Sequence, residues 1–256
     1  MKLRCLAVAA AAAIAASCGS TTDATEPNGT AVTDGTAESA ENDVPTPAID
    51  ASRSASRSAA LDVRTSGCGP RTGFGSASLI DSELAITAAH VVAGAAEVTV
   101  IDSDRIEHSA SVVAFDPDLD IALLRVPADI GTPLQFRDAR VQEGNVGVMT
   151  IARERDDTGE SAIVDVEVDV VRRANVATTD IYLDADVVRP GFEISAPIEP
   201  GDSGAVVVID GSATGVVWSR SIQRGDRAWV VNIPQAYRDP DTRRSLVESV
   251  STGECA

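Results

Sequence analysis

The chain has 256 residues, enough for one or two domains. Its 39 acidic residues outnumber 21 basic ones, and the formal net charge of −18 argues against a nucleic-acid partner, because phosphate binding needs clustered Lys and Arg. Only two histidines are present, His90 and His108, too few for a catalytic zinc site, so neither a metal nor another cofactor is expected.

The chain opens with a short positive stretch, Met1-Lys2-Leu3-Arg4. The apolar run Leu6 to Ala16, about 11 residues, falls short of the ~20 that a spanning helix needs, so residues 1–17 read as a signal peptide. The sequence Ile14-Ala15-Ala16-Ser17-Cys18-Gly19 resembles a bacterial lipobox, with Ala15 where Leu is usual. That resemblance implies lipidation of Cys18 and a membrane anchor in the cell envelope. The alternative is ordinary cleavage and secretion. Each buried acyl methylene adds about 0.8 kcal/mol, so several chains would anchor firmly.

Residues 18–60 are rich in Ser, Thr, Ala, Pro and acids and nearly devoid of large apolar side chains. Such a segment cannot bury enough surface to fold and reads as a disordered tether. A flexible chain of about 40 residues spans roughly 35 Å. Residues 61–256 hold nearly all the Val, Ile, Leu and aromatic side chains. They are read as one compact domain of about 190 residues, enough for a sizeable core. Most of the negative charge lies there, which fits a soluble monomer.

Cys68 and Cys255 bracket that domain. In an oxidising compartment they are a natural pair, the alternative being two free surface thiols.

Within the domain, short Val- and Ile-rich runs recur between turn signals. They are Ala77–Ile80, Leu84–Thr87, Glu97–Ile101, Ser111–Ala114, Ile121–Val126, Val146–Ile151, Ile163–Val171, Ala205–Val208, Gly215–Trp218 and Ala228–Val231. This pattern predicts an all-β sandwich or antiparallel barrel. No repeat is evident at a fixed period. A helical period occurs only at Asp239–Val250, where Asp241 is the expected cap and Leu246, Val247 and Val250 the expected inner face.

Three motifs carry chemistry. They are Ile86-Thr87-Ala88-Ala89-His90-Val91-Val92, Asp118-Leu119-Asp120-Ile121-Ala122-Leu123-Leu124 and Pro200-Gly201-Asp202-Ser203-Gly204. A serine hydroxyl needs a base to become a nucleophile, and imidazole has a suitable pKa. His90 ends an apolar strand, whereas His108 lies in a polar stretch and reads as an exposed loop residue. A buried carboxylate must then orient the imidazole. Asp116, Asp118 and Asp120 compete for that role on sequence. Asp120 directly precedes the apolar run, while Asp116 and Asp118 suit a turn around Pro117. Gly201 and Gly204 allow a tight loop that leaves the Ser203 hydroxyl accessible.

In the order His, Asp, Ser, these motifs resemble the trypsin-like, or chymotrypsin-type, serine peptidases, in a bacterial single-domain form. The resemblance runs from about Phe74 to Pro234. It implies two six-stranded antiparallel β-barrels with a short C-terminal helix. It also implies a catalytic triad of His90, Asp120 and Ser203, and an oxyanion hole from the N–H groups of Gly201 and Ser203. The implied activity is hydrolysis of protein or peptide substrates through an acyl-enzyme. The alternative is a catalytically silent member of the same fold that serves binding or regulation.

Some features depart from that family. Ala205-Val206 follows Gly204 where Gly-Pro is frequent. No Ile-Val-Gly-Gly stretch precedes His90, and Gly73–Ser78 resembles the Gly-rich strand of bacterial relatives that need no activating cleavage. No PDZ-like domain is expected after Pro234. Ala196–Glu199 and Trp218-Ser219-Arg220 are expected to line the specificity pocket. No acid falls clearly at its base, which leans against cleavage after Arg or Lys.

Overall fold

The computed structural model describes residues 47–68, 73–137, 140–154 and 161–256. The leader, Cys18 and the tether up to residue 46 lie outside the described residues.

The first barrel is built from β1 (Ala60–Ser66), β2 (Gly73–Asp81), β3 (Leu84–Thr87), β4 (Glu97–Ile101), β5 (Glu107–Asp116) and β6 (Ile121–Arg125). Its strands run in the order β1-β2-β3-β6-β5-β4, and β1 pairs with β4 to close it. The second comprises β7 (Val146–Glu154), β8 (Ser161–Thr179), β9 (Asp186–Ser195), β10 (Val206–Ile209), β11 (Ser212–Arg220) and β12 (Arg227–Asn232). Its order is β7-β8-β9-β12-β11-β10, closed where Val208 of β10 meets Val148 of β7. Counted within each barrel, the two strand orders are the same. The sequence shows no repeat because such a topology constrains burial patterns and turns more than residue identity.

Each barrel has its own core. Leu79, Ile86, Leu123 and Leu124 are fully buried in the first, and Met149, Ile151, Phe192 and Ile194 in the second. Closed barrels leave no open sheet edge, so the short Val-rich strands are satisfied on both sides. β3 and β4 coincide with the apolar runs read from sequence. β9 lies outside those runs because Pro190 and Gly191 interrupt it. Gly191 is required there, since a Cβ would overlap the carbonyl oxygen of Val230 on the neighbouring β12.

The tether reading extends too far. Residues 47–59 form helix α1 (Pro47–Ala59), which packs against β7 and β10. Its Ser and Ala side chains permit close approach, with Ser52 and Ser56 buried. The Gly211 N–H donates to Ser52 Oγ at 3.0 Å. Arg57 Nε donates to Asp165 Oδ2 of β8 at 2.7 Å, and Arg53 pairs with Glu167. Low apolar content excludes an independent core but does not prevent docking on one.

The other helices are short: α2 (Ala89–Val92), α3 (Gln235–Arg238) and α4 (Pro240–Ser245). The cap of α4 is Asp239, not Asp241: its carboxylate accepts the Thr242 N–H at 2.7 Å. The helix ends at Ser245, and Val247 and Val250 are exposed rather than inward. The pair Cys68–Cys255 forms a disulfide with a Cα–Cα distance of 5.6 Å.

Candidate active site

The loops between strands bring the sequence motifs to the junction of the two barrels. His90 lies on the single turn α2, directly after β3. Ala88 and Ala89 are fully buried, so only small residues fit at this bend. The His90 side chain keeps about 33% of its exposure.

Asp120 is 2% exposed. Its Oδ2 lies 2.8 Å from His90 Nδ1, and its Oδ1 accepts the backbone N–H of the same histidine at 2.9 Å. An ionised carboxylate can only accept, so this contact places a proton on Nδ1 and leaves Nε2 free to act as a base. Asp120 has a positive φ of 59°, where an L-residue other than glycine is strained. The preceding turn holds it: Asp116 Oδ1 accepts the Leu119 N–H at 2.9 Å. Asp116 is the last residue of β5, not part of the turn itself, and its side chain holds the turn that begins at Pro117.

Ser203 is held from both barrels. Its carbonyl accepts the Ser76 N–H of β2 at 2.8 Å. The next residue, Gly204, donates to Val217 of β11 at 2.8 Å. Gly201 and Gly204 both have positive φ, 99° and 92°. A Cβ on Gly204 would overlap the Ser76 carbonyl and Thr87 Oγ1, and would lie 3.0 Å from the Ala88 N–H nitrogen. The serine loop thus presses against the chain two residues before His90.

The amides of this loop fall into two groups. Those of Asp202, Gly204 and Ala205 donate to the carbonyls of Glu199, Val217 and Asp202. Those of Gly201 and Ser203 meet no acceptor among the described residues. Backbone N–H donors without an acceptor beside a serine are what a developing oxyanion needs.

Two charged residues at the site carry no signal in the sequence motifs. Asp202 is fully buried, and Arg153 of β7 reaches it through Nε at 3.2 Å and Nη2 at 2.8 Å. Arg153 also donates to the Pro197 carbonyl at 2.7 Å and pairs with Glu199 at 3.0 Å. The hydrogen bond that Arg153 donates to Asp202 raises the arginine's pKa above its usual value against the opposing effect of burial. Arg189 of β9 lies beside Asp120. Both arginines sit in strands distant in sequence from the motifs, where no local pattern marks them.

His108 is not an exposed loop residue. It lies on β5 opposite Val100, with Nε2 at 2.7 Å from the buried Asp102 carboxylate. The residues expected to line a specificity pocket divide: Ala196 and Ile198 are buried, while Trp218, Ser219 and Arg220 continue β11. The one carboxylate of the 196–199 stretch, Glu199, is turned towards Arg153.

A family model described as a trypsin-like peptidase domain matches residues 75–217. Two curated proteins from Mycobacterium tuberculosis strains, serine protease MT3772 and serine protease Rv3671c, are each 29% identical over 186 residues. That alignment covers 72% of this chain and 44% of each relative, so the chain spans less than half their length. The solved active form of the Rv3671c protease superposes with a TM-score of 0.70 at 27% identity, covering 82% of this chain and 92% of that one. The inactive form gives 0.62 at 25% identity, covering 80% and 98%. With the family model matching more than half of its residues and the barrels arranged as described, the chain belongs to the trypsin-like peptidase domain family.

Proposed function

We propose that this chain is a serine endopeptidase, with Ser203 as nucleophile, His90 as general base and Asp120 as the carboxylate that orients it. The observation that carries this reading is the His90–Asp120 contact at 2.8 Å, set beside a serine loop with two amides that meet no acceptor among the described residues. The better superposition on the active form of the Rv3671c protease also supports it.

In this reading the Ser203 oxygen attacks the scissile carbonyl carbon while its proton passes to His90 Nε2. The carbonyl oxygen takes up negative charge against the N–H groups of Gly201 and Ser203, a donor pair worth about 3 kcal/mol each. His90 then hands its proton to the departing amine, leaving an acyl-enzyme. Water repeats the sequence and frees the acid. Asp120 stabilises the imidazolium in both halves without itself being protonated. With Glu199 engaged by Arg153, the pocket offers no free carboxylate from that stretch, which favours an uncharged side chain before the cleaved bond.

A fluorophosphonate probe tests the activated serine. The full chain is expected to label, and Ser203→Ala and His90→Ala to abolish labelling. A folded wild type that stays unlabelled overturns the reading in favour of a silent binding member of the fold.

Export and anchoring belong to the same proposal. Residues 1–17 act as the leader, Cys18 carries the lipid, and the segment before α1 serves as the tether of a monomeric domain at the outer face of the cell membrane. Mass spectrometry of the native N-terminus decides this: a mature chain starting at an unmodified residue other than Cys18 refutes it.

A further inference from the structure

Arg189 lies in Val187-Val188-Arg189-Pro190-Gly191 on β9, a strand of the second barrel. It is 3% exposed. A buried guanidinium is costly unless it is paired and its donors are met, and here Nε and Nη2 find backbone carbonyls while Nη1 faces a carboxylate. Nε donates to the Asp118 carbonyl at 2.7 Å. Nη2 donates to the carbonyls of Pro117 and Thr179 at 3.4 and 3.3 Å. Nη1 lies 3.9 Å from Asp120 Oδ2, an ion pair without a hydrogen bond. The Arg189 Cζ sits over the Trp218 ring at 4.3 Å from its centroid, within the range of a cation–π contact.

Two consequences follow from this geometry. First, Arg189 grips the backbone of residues 117 and 118, immediately before the strained Asp120. It thereby ties the carboxylate's turn to the second barrel. Second, it is a fixed positive charge that already faces Asp120 before His90 takes up a proton.

We propose that Arg189 is a positioning residue of the peptidase, which fixes the Asp120 turn and opposes the build-up of a second positive charge on His90. The proposal rests on the reading of Asp120 as the orienting carboxylate.

The charged groups around it set the sign. Burial lowers the Arg189 pKa, while the carboxylates of Asp120, Asp116, Asp180 and Asp118 raise it. Asp116 ends β5, Asp118 and Asp120 come from the turn before β6, and Asp180 follows β8. The Tyr237 phenol of α3 is raised by burial first and by Asp116 second. Removing the guanidinium leaves the Asp120 carboxylate beside His90 without the positive charge that opposes it. That favours the imidazolium, so the acid limb of activity moves to higher pH.

The test uses the full chain and a fluorophosphonate, with kinact and KI measured across pH. Arg189→Gln keeps hydrogen-bond donors but no charge. It is expected to lower kinact at neutral pH about tenfold with KI within about twofold, and to raise the acid limb by about one pH unit. Arg189→Lys, which keeps the charge, is expected to return the limb to the wild-type position. A folded Gln variant with wild-type kinact and limb overturns the proposal. Should that variant not fold, the Lys variant decides: an unmoved limb supports the role, and an upward shift refutes it. A wild type that never labels sinks the peptidase reading itself, whereas a labelled wild type with unchanged variants sinks only the role of Arg189.

Discussion

Arg153 and Asp202 form a forked ion pair directly behind Ser203, with Nε and Nη2 of the arginine at 3.2 and 2.8 Å from the two carboxylate oxygens. Asp202 is fully buried, so its charge has no water to fall back on. It also accepts the Glu199 N–H at 2.8 Å, which shapes the loop carrying the Gly201 and Ser203 amides. Arg153→Leu should therefore cost about 3–5 kcal/mol, the penalty for a buried charge stripped of its partner. Denaturant unfolding measures the cost. Fluorophosphonate labelling should fall with it, and Arg153→Leu combined with Asp202→Asn should recover part of the stability.

Gly204 is tightly constrained within the serine loop. At φ 92° any side chain is strained, and a Cβ would overlap the Ser76 carbonyl and Thr87 Oγ1. Gly204→Ala is expected to lose at least about 2 kcal/mol and most labelling. A variant with wild-type midpoint and labelling would show that the loop can shift without cost.

The disulfide closes a loop of 187 residues, nearly the entire described domain. In the chain-entropy model such a closure is worth about 5 kcal/mol, mainly by restricting the unfolded chain. Cys68→Ser with Cys255→Ser should lower the denaturation midpoint accordingly, and added reductant should do the same to wild type but not to the double variant.

Asp102 gives a pH dependence whose sign can be worked out. Burial raises its pKa, but the hydrogen bond from His108 and those from the Ile106 and Asp104 amides outweigh it, so the folded value lies below the ordinary one. A lowered folded pKa contributes stability above the unfolded value of about 3.9 and loses it as pH falls through the folded value. Asp102→Asn should thus be less stable than wild type at pH 7, with the difference narrowing below about pH 4. Chemical unfolding of both proteins at several pH values reads the gap directly, and a gap that stays constant would contradict the linkage.

Much of the fold is legible because strand signals are local. β3 and β4 coincide with the runs of alternating or continuous apolar residues, and most other strands overlap theirs. β9 escapes because Pro190 and Gly191 look like breakers until β12 is laid against them. α1 escapes because its Ser- and Ala-rich composition matches a disordered segment, and only docking on β7 and β10 gives it a partner. His108 was misplaced for a related reason: its polar neighbours suggest a loop, but the strand is set by pairing with β4.

The sequence by itself marked the candidate side chains for chemistry. His90, Asp120 and Ser203 sit in short motifs whose residue types and order are visible without any fold. It also marked the two cysteines and the strand-rich character of the domain. Tertiary structure alone decided what holds those groups in place. It set Asp120 against His90, left the Gly201 and Ser203 amides without an acceptor among the described residues, and brought Arg153 and Arg189 to carboxylates that lie 49 and 69 positions away in the chain. The physical reason is that an ion pair requires proximity and low solvent exposure, and neither leaves a trace in residues near the partner. A surface arginine and a buried one have the same letter; only the packing around them separates the two.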